Sequence, residues 1–167
     1  MYATSGAVKQ SINQGNSAVT SSTSLVTLGS DITNNNAVAN TIQDVTGLSF
    51  PVVAGNRYKF RFVIQYTSAA TTTGSRWTIN GPGITSLRYR SQYSLTTTSR
   101  TFNEGLSAYD TPAASNATSA ATGSNIAIIE GIIVPSANGN VIARFASEVS
   151  SSSIVALTGS YVEYQQI

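Results

Sequence analysis

Between Leu48 and Tyr66 the sequence reads LSFPVVAGNRYKFRFVIQY, and from Tyr58 onward it alternates without a break. Tyr58, Phe60, Phe62, Ile64 and Tyr66 point one way; Lys59, Arg61, Val63 and Gln65 point the other. A sustained period of two is a β-strand, because successive side chains leave a pleated chain on opposite faces. The aromatic face has to be buried, whereas the other face is basic and is either wet or paired. Such a strand belongs to an antiparallel sheet covered on one side only. Ala54-Gly55-Asn56 supplies the preceding turn. Leu48 to Val53 reads as a shorter strand, in which Pro51, lacking an N–H, requires an edge or a bulge.

The same reading gives further short strands downstream. Trp77 and Ile79 share a face within Arg76 to Asn80, which ends at the turn Asn80-Gly81-Pro82-Gly83. Leu87 to Tyr93 alternates again, and Ser94 to Phe102 continues it as a Thr-rich strand. Ile126 to Val134 and Val141 to Glu148 flank Pro135-Ser136-Ala137-Asn138-Gly139 and predict a hairpin. Setting Ile129 opposite Phe145 and Ile133 opposite Val141 also sets Glu130 opposite Arg144, so apolar and charged patterns agree on one register. Ile154 to Leu157, a Thr158-Gly159 turn and Tyr161 to Gln165 close the series. Many short strands with turn signals roughly every ten residues, and no helical period, predict an all-β fold: an antiparallel β-sandwich, jelly-roll-like. The predicted core is Tyr58, Phe60, Phe62, Ile64, Trp77, Ile79, Ile129, Ile133, Val141 and Phe145.

Residues 1–40 are rich in Ser, Thr and Asn, with apolar islands only at Leu25 to Leu28 and Ala37 to Val38. Ordering one residue costs about 1–2 kcal/mol of backbone entropy, and so few apolar side chains do not offset that by packing on themselves. The chain therefore divides into an extended N-terminal arm, 1–40, and a sandwich domain, 41–167. The arm lies on a partner subunit or adds a strand to its own domain. On the partner reading, Leu25, Val26 and Leu28 fill shallow apolar pockets of a neighbour. Glu104 to Ser124 carries no period and is a long loop of the kind that is functional or pinned to a neighbour. Its Tyr109 is a further candidate partner contact. Tyr89, Tyr93 and Tyr109 are also candidate sugar-stacking rings, against the simpler reading that they pack with their hydroxyls outward.

Chemistry is narrowly bounded. The chain has no histidine and no cysteine, which removes the usual general base, the usual zinc ligands and the usual pH switch. Ser and Thr are abundant, but a nucleophile needs a base, and the lysines are Lys9, in the arm, and Lys59, in mid-strand. Glu130 and Glu148 have the residue types of a glycosidase carboxylate pair, yet Glu130 is better explained by Arg144. No calcium-type Asp loop is present, and Asn116-Ala117-Thr118 is a chance glycosylation match without a secretory signal. The expectation is a non-enzyme with no cofactor and no metal.

Charge adds a second expectation. Charged residues make up 10% of the chain, against about a quarter in an ordinary domain, a surface suited to packing within an assembly. Residues 45 to 103 carry Arg57, Lys59, Arg61, Arg76, Arg88, Arg90 and Arg100 with no acid, while Glu104, Asp110, Glu130, Glu148 and Glu163 follow with Arg144. Such complementary halves pair within the chain or drive symmetric self-association. A net charge of +2, with the basic residues alternating with buried aromatics, argues against a nucleic-acid partner. The longest apolar run, Ile126 to Val134, is broken by Glu130 and falls short of the roughly 18 residues of a spanning helix, so no membrane partner is expected. The N-terminal residues lack a signal-peptide core, and the expectation is a soluble product of a cytoplasm.

The series LSFPVVAGNRYKFRFVIQYTSAATTTGSRWTINGP, followed by AYDTPAASNATSAATGSNIAIIEGIIVPSANGNVIARFASEV, resembles a module of tailed-bacteriophage structural proteins found in decoration and tail-associated chains. The resemblance covers about residues 45 to 150. It implies a virion component, a homotrimer built on a jelly-roll-like sandwich, whose partners are its own copies and the major capsid protein or other virion subunits. It carries over no catalytic residue. Two roles follow: a capsid decoration or cement protein on the shell exterior, assembled in the host cytoplasm, or a tail-fibre module that binds host-surface glycan through the 104–124 loop. The absence of a fibrous repeat or heptad shaft favours the first.

Overall fold

Strand β4, Tyr58–Ser68, buries every second side chain along its length, and the chain wraps around that buried face. The computed structural model describes residues 22–96, 98–111 and 122–167, which contain strands and no helix. The other strands are β1 (Ser24–Thr27), β2 (Ile32–Asn34), β3 (Gln43–Val52), β5 (Ser75–Asn80), β6 (Ile84–Ser94), β7 (Arg100–Leu106), β8 (Asn125–Pro135), β9 (Gly139–Ser147), β10 (Ile154–Ala156) and β11 (Tyr161–Gln166). A large sheet runs β1-β11-β4-β8-β6-β7, with β10 beside β4 and β2 beyond it; a small sheet runs β3-β9-β5. All pairings are antiparallel.

The fold is thus an antiparallel β-sandwich. The chain crosses between sheets from β2 to β3, β3 to β4, β4 to β5, β5 to β6, β8 to β9 and β9 to β10, which interleaves β4-β8-β6-β7 with β3-β9-β5 in the manner of a jelly roll. The segment after β7 flanks β5, with the Asp110 amide donating to the Ile79 carbonyl at 3.1 Å.

All ten residues of the predicted core are buried. Phe50 lies among Tyr58, Phe60, Phe62 and Tyr164, stacking on Tyr164 at 4.8 Å between ring centroids. At the other end Trp77 stacks on Phe145 at 5.0 Å and 15° and tilts against Tyr66 at 4.8 Å. Each such pair contributes about 0.5–1.5 kcal/mol beyond area burial. Strand β3 lies at an edge with its register shifted between Asp44 and Ser49. Exposed Pro51 and left-handed Gly47, at φ 93°, fit that edge and its bulge.

Two expectations require correction. The first is the hairpin: β8 and β9 fall in opposite sheets, and Glu130 and Arg144 are not neighbours. The connection is held elsewhere, with the Ser136 amide donating to Gly83 O at 2.7 Å and the Gly55 amide to Pro135 O at 2.8 Å. β8 has both edges taken by β4 and β6, so β9 pairs between β3 and β5 instead. The second is the Thr-rich strand, which is not continuous: Ser94 ends β6, Arg100 to Phe102 open β7, and between them the Leu95 and Thr96 amides both donate to Ser99 O.

For the described part of the arm, the structure bears out the alternative in which it adds strands to its own domain. Residues 24–27 pair with β11 and residues 32–34 with β10, so this part of 1–40 adds strands to its own domain. Leu28 is 1% exposed within the core, and its amide and carbonyl bond to Ser160 and Gly159. Sheet-edge hydrogen bonds and one deeply buried leucine offset the ordering cost that composition alone leaves uncompensated. Residues 1–21 and 112–121 lie outside the described residues, as does the rest of what the arm and loop expectations covered there.

Gly131 in β8 faces β6 so closely that an added Cβ would stand 2.3 Å from Arg88 O and 2.7 Å from Tyr89 Cα. Neither contact is a movable side-chain end. Gly131→Ala is expected to lower stability by about 1–3 kcal/mol or more through strand displacement, measured by urea unfolding. A change below a few tenths would mean that β6 and β8 separate freely.

Candidate functional site

The outward face of the large sheet is the surface with most to offer a partner. Parity places Lys59, Arg61, Val63 and Gln65 of β4 there, together with Ile126, Ile128, Glu130 and Ile132 of β8. Registered pairing arranges these residues and those of the flanking strands in rows that run across the strands.

The central row is electrostatic. Glu163 of β11 stands opposite Arg61 of β4, Arg61 opposite Glu130 of β8, and Glu130 opposite Arg90 of β6. Arg61 Nε lies 3.3 Å from Glu130 Oε2, and Arg90 Nε donates to Glu130 Oε1 at 2.7 Å. Arg90 Nη2 also contacts Glu130, and its Nη1 lies 3.8 Å from Glu104 of β7. The Glu130 hydrogen bond and charge hold the Arg90 guanidinium above its usual pKa. The signs alternate, so the row is charged residue by residue and neutral across Glu163, Arg61, Glu130 and Arg90.

The adjoining rows are more apolar. One contains Tyr161, Val63, Ile128, Gln92 and Phe102 in successive registered strands. On the other side Ile132 stands between Lys59 and Arg88. Leu25, Phe102, Ile126 and Ile132 are 61%, 58%, 47% and 42% exposed. A shallow groove of about 570 Å³ lies over this region, bordered by Lys59, Arg61, Arg88, Arg90, Glu104 and Ile132.

The other charge cluster is structural. Arg144 of β9 reaches Asp44 of β3 through Nε at 2.7 Å and Asp110 through Nη1 at 2.6 Å. Asn80 of β5 donates to the same Asp110 oxygen at 2.5 Å. Asp110 takes a left-handed φ of 54°, tolerated by Asp, and the cluster holds the segment after β7 against the small sheet. Arg76 and Glu148 pair at 2.8 Å on the same sheet's margin. Of the basic residues between 45 and 103, Arg61, Arg76 and Arg90 therefore pair with acids of the later sequence.

Of the residues singled out as partner contacts, Leu25 is exposed on the large sheet, Val26 is partly buried against the core, and Leu28 is inside it. Tyr109 packs on Gly81 and donates to Pro82 O at 2.9 Å. Burial, with the neighbouring Tyr89 hydroxyl, pushes its pKa up to about 12. Tyr89 and Tyr93 are buried, at 4% and 1% exposure. Sequence reasoning missed Arg90, Glu104 and Glu163 as members of one row, because a row is assembled from strands far apart in the chain. Among the described residues no group of three or more acidic side chains is placed to hold a metal ion.

No protein-family model and no curated protein matches the sequence. Among solved structures, the chain is similar to the crystal structure of the infectious bursal disease virus VP2 subviral particle at 10% identity and a TM-score of 0.26, covering 99% of this chain and 46% of that one. It is also similar to the structure of the infectious bursal disease virus Gx strain at 11% identity and a TM-score of 0.26, covering 87% and 40% respectively. The chain thus spans less than half the length of either.

Two outcomes test this account. Arg144→Ala leaves Asp44 and Asp110 without their cation and is expected to cost about 1–3 kcal/mol in urea unfolding, whereas Glu130→Gln, on a solvated face, costs at most about 1 kcal/mol; the reverse order would contradict the assignment. Tyr109 stays protonated in the folded chain above its unfolded value of 10.0, so stability falls as pH rises from 10 toward about 12. Tyr109→Phe should flatten that part of the stability profile followed by circular dichroism.

Proposed function

We propose that this chain is a structural protein of a tailed-bacteriophage particle, a capsid decoration or cement protein on the shell exterior that strengthens the shell by adding buried contact area. The observation that carries this reading is the outward face of the large sheet. It displays Leu25, Phe102, Ile126 and Ile132 beside a neutralised charge row. An exposed apolar area of this kind, interspersed with matched charges, supports contact with other protein subunits. The sequence resemblance supplies the particle, and the low charge content supports life within an assembly.

The proposed partners are further copies of the chain, in the homotrimer the resemblance implies or in another closed form, and the major capsid protein or other virion subunits. The role is adhesive and non-enzymatic. Glu130 is engaged by two arginines and Glu148 by Arg76, which supports reading these two carboxylates as ion-pair partners. Tail attachment through glycan is less well supported, since Tyr89 and Tyr93 are packed inside.

The test is binding of the purified chain to purified shells lacking it, with copy number read from the particles. Decoration predicts a copy number matching the shell subunits; binding confined to tails would overturn it. Residues 1–21, with Leu25 at the sheet edge, are proposed as the attachment arm. Deleting residues 1–21 is expected to leave the fold intact by circular dichroism while abolishing shell binding, and full occupancy by the truncated chain would assign attachment to the sheet face.

A further inference from the structure

The pattern on the large sheet has a symmetry that single ion pairs do not reveal. The six strands in order β1-β11-β4-β8-β6-β7 have their midline between β4 and β8. Across that midline the central row reads Glu163, Arg61, then Glu130, Arg90. A two-fold rotation about an axis parallel to the strands at the midline exchanges β4 with β8 and β11 with β6, preserves strand direction, and turns the face over. Every charge in the row then meets its opposite: Arg61 meets Glu130 of the second copy, and Glu163 meets Arg90.

From this we infer that the outward face of the large sheet is a contact surface for a second copy of this chain, the two sheets packing face to face about a dyad along the β4-β8 midline. The inference stands on the register of this sheet and not on the virion assignment, so either fails without the other.

The other rows are compatible with the same axis. The rotation sets Val63 against Ile128 of the partner subunit at the centre, and Tyr161 against its Gln92, in an apolar row. Next to the charges it sets Ile132 against the aliphatic stem of Lys59. Lys59 and Arg88 have no carboxylate partner among the described residues, and they occupy the outer row, where their heads reach water at the rim. The edge strands contribute Leu25 and Glu104, which do not complement each other and also fall at the rim.

Energetics favour this occupant over an unrelated one. A flat apolar ligand would strip water from these ion pairs and supply no further polar partner, a desolvation cost with nothing to offset it. A second copy supplies each central charge with an opposite one, as an isologous contact requires. Strands about 4.8 Å apart and four rows about 7 Å apart give a footprint of roughly 500 Å² before side-chain relief, on the scale of the about 800 Å² per partner in a standard interface. Sheets pack face to face about 10 Å apart, a gap that side chains of this size fill.

The experiment is charge complementation read by light scattering on the full chain at micromolar concentration. The unmodified chain is expected at twice its 17.4 kDa mass. Arg61→Glu with Arg90→Glu makes the row all acidic, and Glu130→Arg with Glu163→Arg makes it all basic; each is expected as a monomer, and an equimolar mixture as a heterodimer. Ile128→Lys, which leaves the row intact and changes a partly exposed side chain, is expected to be monomeric with an unchanged circular dichroism spectrum. It decides the matter if the charge variants do not fold. A monomeric or trimeric unmodified chain, charge variants that keep the dimer mass, a mixture that stays monomeric, or a dimeric Ile128→Lys would each overturn the proposal.

Discussion

The packing of aromatic rings against the inner face of β4 is the interaction on which the rest of the structure depends. Tyr58, Phe60, Phe62, Ile64 and Tyr66 are all buried on that face, and Phe50 from the small sheet lies among three of these rings and Tyr164 of β11. Removing them would leave the two sheets with no reason to face each other. Because β4 sits between β8 and β11, with β10 alongside, its inner face also fixes which side of each neighbour is buried. The outward row of charges is a consequence. When Phe60 and Phe62 go in, Arg61 must come out, and antiparallel register carries that parity to Glu130, Glu163 and Arg90.

Two kinds of ion pair result, with different roles. Arg144 is 21% exposed at its side chain and sits between two carboxylates, where it secures the segment after β7. Loss of its charge leaves acids stranded. Arg61 and Arg90 are about half exposed, at 47% and 52%, and their pairing with Glu130 contributes little to folding in water. Such pairs are more consequential in a contact, where they exclude wrong partners and set register. The weakly stabilising pairs thus lie on the outward face and the more buried cluster on the small sheet.

The N-terminal strands show the same economy at an edge. β1 lies along β11 and β2 along β10, so backbone groups that would otherwise be open to another chain are satisfied internally. Leu28 locks the connection between them into the core.

How much of this was legible in the sequence follows from which properties are local. Side-chain parity is local: a strand of alternating residues declares its two faces from within, which is why all ten core residues, the edge position of Pro51 and the turn at Gly159 could be read directly. Strand partners are not local. Ile129, Ile133, Val141 and Phe145 face inward whether β8 and β9 pair with each other or sit in opposite sheets, so the apolar pattern fitted a hairpin that does not form. Glu130 likewise had to face outward, but its arginines are Arg61 and Arg90 because β4 and β6 flank β8. The polar composition of residues 24–34 did not reveal that they pair with the last strands, since backbone hydrogen bonding across an edge leaves almost no mark on side-chain choice. The sequence by itself determined which faces exist and which residues lie on them. Only the tertiary structure decided which faces adjoin, because strand order is set by the wrapping of the whole chain around one core.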